Sequence, residues 1–476
     1  MALITQNQYN TAKQSVRNVY VRVNLLNFDY LTIDSFSGNL IGGSLSSDAN
    51  SNMRNTCDIS LVVTDSTFNV QASGKIWLDR LIQVYVGVDD MRTGETAWTN
   101  KGIYLINQPS YQYDATTNTM SFQGVDLMGL MTGLRGGTLV DTYVIPQGSN
   151  VRDAIVACLK ENGFKKYIVS ECENVDGSIQ AVPYDMQYEV GKSWWDVLDG
   201  LQQILPNYQM YFDNDGVFHY ETIPYRANEQ IRMSDDIWTA NVTSESVSYD
   251  FEAVKNSVKV LGKAHDIRYY PSSQSISGST LALTIAALSA ISADIIIGFA
   301  PPSNMTGNIS LNVNNGGAKA LKDSGGNYIT SLTKDVYYCA IYVEDGDYWY
   351  FLGHVQAVGE WKDENPDSPF YIGNPAGEIK IPLYGGDYEN IASDELAVAR
   401  AKWEIWQRCR LNDSIQLTTV PIYWSEVNWM VSYTPAGIKT ANQYLISSIS
   451  TDLSPTGTQT YSLVRYYPYY DENDIV

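Results

Sequence analysis

The sequence predicts a mainly β protein with α+β parts, and three observations carry that reading. Tyrosine and glycine occur thirty-five times each. Runs of β-branched and aromatic residues alternate with polar ones between turn signals, the two-residue period of half-buried strands. Only three stretches show the 3.6-residue apolar spacing of an amphipathic helix.

Residues 1–145 read as one β domain. Val19–Val23, Cys57–Val63 and Ile82–Val88 alternate, and Gly102–Ile106 follows a turn, each matching a strand with one buried face. Asp114–Asn118 separates two further runs as a hairpin loop would.

The pattern changes from Pro146. Ser149 and Asn150 precede Val151–Leu159, a capped amphipathic helix ending near Gly163. A second helix is predicted over 194–205, with Ser193 as its cap, Trp194, Val197, Leu198, Leu201 and Leu205 on one face, and Pro206 beyond its end. Tyr208–Phe212 and Val217–Tyr220 flank Asp213–Gly216 as a strand-turn-strand. Residues 146–228 are thus expected to form a small α+β domain.

A second β domain is predicted from residues 229–274 and 373–476. Asn256–Leu261 supplies an early strand, and Ser414–Thr419, Val427–Tyr433, Tyr444–Ser450 and Gln459–Arg465 supply closing ones. A helix at about 393–408 carries Ser393 as cap and Leu396, Ala399, Trp403 and Trp406 as an apolar stripe. The polar stretch Pro271–Ser275 opens an inserted module over 275–372, in which Gly316–Gly317, Gly325–Gly326 and Asp345–Asp347 bound short strands in a sandwich-like unit. With 476 residues and typical domains of roughly 100 to 200, three or four units are expected.

The charge balance, 31 basic against 53 acidic residues for a formal net charge of −22, argues against gripping nucleic acid through its phosphates. No sequence-specific nucleic-acid binding is expected. The start, MALITQNQYNTAKQ, lacks a basic segment followed by an apolar one, so no secretory signal is expected. No apolar run approaches the ~18 to 20 residues of a membrane helix. Five widely spaced cysteines without a CxxC pair signal neither a disulfide framework nor a zinc site, and read as reduced, mostly buried thiols.

The succession of Gly102–Pro109, Ser121–Met128, Trp194–Leu198 and Tyr211–Phe218, with the late segment Val420–Trp424, resembles the baseplate hub proteins at the tail tip of tailed bacteriophages and of contractile injection machines. The resemblance covers roughly residues 1–270 and 375–470. It implies a homotrimer in which each subunit contributes two tail-tube-like β-barrels, residues 1–145 and the split domain, to a six-fold-like ring. Two β domains of similar size in one chain are what such a three-to-six match requires. The implied neighbours are the tail tube or distal tail protein, the tape measure protein, and a tail fibre, spike or receptor-binding protein. The implied setting is the virion tail tip, assembled in the host bacterial cytoplasm, with genome DNA passing through the lumen; an acidic lumen would repel phosphates.

The insert resembles a small β module of phage tail fibres through Leu283–Leu288, Ile295–Asn304, Ser310–Leu321 and Tyr348–Leu352. Its aromatics include Tyr337, Tyr338, Tyr342, Tyr348, Trp349 and Tyr350. Alternating members either fill the module's core or stack on the sugar faces of a host surface glycan. The candidate glycan contacts are Tyr338, Tyr342, Tyr348, Trp349 and Tyr350.

No catalytic, metal or cofactor residues are predicted. His219, His265 and His354 fall in three different predicted units, without an HExxH motif or nucleophile elbow. Cys158 on an apolar helix face and His219 in a strand read as core and edge residues. Asp213–Gly216 begins like a calcium loop but lacks the distal glutamate, so a hairpin turn is expected. After the last strand only the acidic tail from Tyr466 to Asp474 remains, so no peptidase domain is expected there. A non-enzymatic hub is the reading; the rivals are a tail-associated wall hydrolase of glycosidase type and a carbohydrate-binding receptor protein.

Overall fold

Strands form where apolar side chains recur at every second position, and the computed structural model describes them over residues 5–36, 40–64, 70–72, 74–113, 117–172, 180–182, 185–205, 208–224, 229–293, 295–437, 439–454 and 456–467. These divide into two units, residues 5–251 with 412–467 and residues 252–411.

The first unit starts with a short helix, α1 (Gln6–Thr11), whose N-cap Thr5 exchanges hydrogen bonds with Gln8 in a capping box. Six residues are too few to show an apolar period, so it was not legible in the sequence. Seven strands follow: β1 (Val19–Leu26), β2 (Thr32–Ser35), β3 (Leu40–Asp48), β4 (Asn55–Val62), β5 (Leu81–Asp89), β6 (Thr96–Tyr113) and β7 (Asn118–Val125). Their alternate residues, among them Val23, Ile59, Val84, Tyr104 and Phe122, make one core. Tyr113 pairs with Asn118 as in a hairpin; residues 114–116 of the predicted loop lie outside the described residues.

Next come β8 (Tyr143–Ile145), α2 (Val151–Glu161), β9 (Tyr167–Val169), β10 (Met186–Tyr188), α3 (Trp194–Ile204), β11 (Tyr208–Phe212) and β12 (Phe218–Thr222). Both helices begin where their caps predict. The Asn150 side chain accepts from the Asp153 amide, and Ser193 with Asp196 forms a capping box. α2 ends at Asn162, before Gly163 in the left-handed region. Pro206, the expected stop of α3, lies outside the described residues. The buried faces of α2 and α3 share a core with Leu81, Leu105 and Leu127, so this α+β part is docked by apolar contact on the start of β5, the middle of β6 and the segment after β7.

A fourth helix, α4 (Asp235–Asn241), leads directly into β13 (Val242–Asp250). The second unit then runs from β14 (Ser257–Ala264) through β15 (Ser273–Ser277), β16 (Thr280–Thr284), β17 (Ile296–Phe299), β18 (Met305–Thr306), β19 (Ser310–Val313), β20 (Ala318–Lys322), β21 (Ser331–Leu332), β22 (Tyr338–Val343), β23 (Tyr348–His354), β24 (Gln356–Lys362) and β25 (Lys380–Leu383) to α5 (Asp394–Arg408). The first unit closes with β26 (Asn412–Thr419), β27 (Met430–Tyr433), β28 (Asn442–Asp452) and β29 (Gln459–Arg465).

Twelve strands of the first unit form one sheet, in the order β13-β26-β29-β28-β3-β4-β7-β6-β5-β1-β2, with β27 paired to β28. The strands of the early and late β regions meet at β28 and β3, from Ser448 opposite Asp48 to Asp452 opposite Ser44. Among the described residues the sheet is open and ends on β13 and β2. The late region has its own core around Trp238, Ile415, Val431, Tyr444 and Tyr461.

In the second unit, β14 pairs with β24 and β25, although its sequence position suggested a strand of the late β domain. The deciding contact is α5, which lies so close to the β24 backbone that a Cβ on Gly359 would sit 2.2 Å from the Ala397 carbonyl carbon. Strand β24 falls within the range read as insert, yet it pairs with β14 and with no insert strand. The insert itself is a seven-stranded sheet, β15-β16-β19-β20-β23-β22-β17, with the pair β18-β21 beside it in sequence. No helix among the described residues is long and apolar enough to cross a membrane.

Candidate functional site

A cavity of about 440 Å³ lies in the first unit, lined from β3, β4, β6, β11, β12, β28 and the segment before β27. It therefore covers the place where the early and late β regions join. Its walls are charged, which makes a space of this size hydrated.

Arg54, placed at the start of β4 by the turn after β3, is 7% exposed. Its Nη2 donates to Gln209 Oε1 at 2.7 Å, and its guanidinium lies 4.0 Å from the Tyr211 ring centroid, a cation–π contact. Gln209 Oε1 also accepts from Asn428 Nδ2 at 2.5 Å. Three segments far apart in sequence thus meet on one amide oxygen. Lys101 Nζ donates to the carbonyls of Tyr423 and Ser425 at 2.8 and 3.4 Å, and Asn214 Nδ2 donates to Glu426 Oε1 at 3.0 Å.

The β11–β12 hairpin carries further charged groups, while Glu229 and Arg232 line the cavity from the segment that follows it. His219 Nε2 bonds Asp213 Oδ2 at 2.9 Å, its Nδ1 lies 3.8 Å from Glu221 Oε2, and its ring stacks on Tyr211 at 5.1 Å. Tyr211 donates to Glu221 Oε1 at 2.8 Å. The bond to Asp213, with Glu221 beside it, pushes His219 up to about 9. Burial pushes Asp213 up, but the bond from His219 and the amides of Val217 and Asp215 outweigh it and leave the carboxyl below its ordinary value. The nearby His219, together with the hydrogen bond from Tyr211, lowers Glu221. Burial lowers Arg54 and Lys101 and raises Glu426.

The described residues contain no group of three or more His, Cys, Asp or Glu able to hold a metal ion. Asp213 Oδ1 is occupied by the amides of Asp215 and Val217, the pattern of a turn.

The model of a domain of unknown function, DUF5048, matches residues 367–470. No curated protein matches the sequence. Among solved structures, the chain is similar to the 43 kDa tail protein of prophage MuSo2 from Shewanella oneidensis, with a TM-score of 0.51 at 11% identity over 94% of this chain and 98% of that one. The chain has the fold of a phage tail protein. A tail protein from Neisseria meningitidis MC58 is similar to the same degree, with a TM-score of 0.50 at 10% identity over 94% of this chain and 97% of that one.

Within this tail-protein fold, the aromatics singled out in the insert separate into two sets. Tyr338, Tyr342 and Trp349 are buried in the insert's core, whereas Tyr348 and Tyr350 flank Trp349 on β23 and are half-buried. Lys322 Nζ lies 4.9 Å from the Tyr348 ring centroid, and Tyr337, outside the strand, is exposed. Cys158 is buried on α2, and burial pushes its thiol up to about 12, so it is no thiolate at neutral pH. His354 bonds Asp394, and His265 is held down by burial.

Sequence reasoning singled out His219 and Asp213 but missed Arg54, Lys101, Gln209 and Glu426. No local pattern marks them, because each stands alone in its own segment and acquires partners only when the sheet closes over the cavity.

Proposed function

We propose that the chain is a non-enzymatic baseplate hub subunit at the tail tip of a bacteriophage virion, three copies of which form a ring that continues the tail tube. The observation that carries this reading is the single twelve-stranded sheet, in which early and late β regions, each with its own core, are joined edge to edge through β3 and β28. One chain then offers two tube-like elements, and three chains offer six, as a symmetry match between a hexameric tube and a three-fold tip requires. The tail-protein fold over 94% of the chain supports the same reading.

In this role the neighbours are the tail tube or distal tail protein, the tape measure protein and a fibre, spike or receptor-binding protein, and the lumen passes DNA. The net charge of −22 suits a surface that does not retain phosphates. Native mass spectrometry should give three times the 53.1 kDa of one chain, and negative-stain images should show a ring. A stable monomer at high concentration, an elongated particle, or clearing of host cell walls in a zymogram would each reject the reading.

The insert supports a second role, contact with a host surface glycan. Its sugar-facing set is Tyr337, Tyr348 and Tyr350, because Tyr338, Tyr342 and Trp349 are committed to the core. A glycan array probed with the whole protein should lose its signals on replacing Tyr348 and Tyr350 by alanine; an array without signals leaves the insert as a spacer.

A further inference from the structure

We propose that the cavity over the β3–β28 join is a binding site for a carboxylate, received by the guanidinium of Arg54. Arg54 is 7% exposed, yet of its nitrogens only Nη2 has a hydrogen-bond acceptor in the protein. Nε and Nη1 have none, and Arg54 lines the cavity. Asp126, Glu221 and Glu426 act on Arg54 from a distance, but none reaches it as an ion pair. A buried cation with unused donors is costly unless something else satisfies it. Each bidentate edge of a guanidinium pairs Nη2 with Nε or with Nη1, so the second hydrogen of Nη2 and one of those nitrogens remain as a free edge that matches the two oxygens of a carboxylate.

The other charges select among anions. Lys101 adds a second, half-buried cation, which donates to the backbone carbonyls of Tyr423 and Ser425. Glu426 accepts from Asn214 on one oxygen and lines the same space. Asp213 and Glu221 are engaged with His219 and Tyr211, and Glu229 and Arg232 also line the cavity. With so many carboxylates nearby, a doubly charged phosphate is opposed more strongly than a single carboxylate. The volume of about 440 Å³ accommodates a group of amino-acid size. The carboxylate belongs either to a small molecule or to an acidic side chain of a partner's peptide segment.

Calorimetric titration of the whole protein with the α-amide of N-acetylglutamate, which carries one carboxylate, and with a short end-capped peptide containing a single glutamate, at constant ionic strength and against chloride, tests this. One of the two should bind; stronger binding of the peptide assigns the site to a partner segment, and stronger binding of the amide to a small molecule. Arg54→Met, which removes the guanidinium but keeps an unbranched side chain in its place, should weaken binding by about 10- to 100-fold. Glu426→Gln should tighten it by about 3- to 10-fold, because it removes an opposing charge. The opposite sign distinguishes a binding role from a structural one and stands even where Arg54→Met misfolds. Absence of binding by both probes, or binding that Glu426→Gln fails to tighten, overturns the proposal, whatever the oligomeric state.

Discussion

Ser450 sits directly opposite Ser46 in the antiparallel ladder that joins the late β region to the early one. Opposed residues in such a ladder have Cα atoms about 4.5 to 5.5 Å apart, within the range a disulfide spans. The double variant Ser46→Cys, Ser450→Cys should therefore cross-link on mild oxidation. It should run faster on a non-reducing gel and lose two titratable thiols relative to its reduced form. Failure to cross-link would show that the two β regions do not share this register.

Gly359 provides a test of the second unit. Replacing glycine by alanine in an accessible conformation usually stabilises slightly, but here the new methyl would lie 2.2 Å from both the Ala397 carbonyl carbon and the Val398 nitrogen of α5. Backbone cannot swing aside as a side chain can. Gly359→Ala should cost about 1–3 kcal/mol in denaturant unfolding, whereas Gly437→Ala, with nothing within 4 Å, should be close to neutral.

Asp394 fastens the start of α5 to the turn between β23 and β24. Its Oδ2 accepts from the His354 amide at 2.8 Å and bonds the ring Nδ1 at 2.6 Å, while Oδ1 accepts from the Val358 amide at 2.8 Å. Asp394→Ala leaves these groups without their acceptor and should cost about 2–4 kcal/mol, read from the denaturation midpoint. Asp394→Asn keeps one acceptor oxygen and should cost less.

His219 makes stability depend on pH. Its folded value of about 9 lies above the ordinary 6.5, so the proton stabilises the fold fully below about pH 6.5, and that contribution is lost as pH rises through 9. Asp213 and Glu221 are lowered, so their contribution is present above about pH 4 and is lost on acidification. His219→Gln should lower Tm at pH 7 by a few degrees, at about 2–4 °C per kcal/mol. The gap to the natural protein should close by pH 10. An equal gap at both pH values would mean that His219 acts by packing alone.

The three longer helices were legible because each carries its own cap and apolar stripe: Asn150 with Val151 to Leu159, Ser193 with Trp194 to Leu205, and Ser393 with Leu396 to Trp406. The short α1 and α4 were not, since six or seven residues complete too few turns to show a period. Most strands could be located from alternation, but not their partners. Val258 and Val260 alternate in β14 just as Ile415 and Leu417 do in β26, yet one strand joins α5 and the other the large sheet. The insert's aromatics show the same division, since residue type singled out Tyr342 and Tyr348 alike and only packing buried the first.

Residue spacing is a local property, so the strands, the helix caps, the hairpin turn at Asp213–Gly216 and the acidic balance could all be read along the chain. Pairing is not local. That Ser46 faces Ser450, and that Arg54, Gln209 and Asn428 converge on one cavity, depends on contacts between segments separated by hundreds of residues. Such contacts form only once separate apolar faces have been buried together, and no spacing within any one segment encodes them.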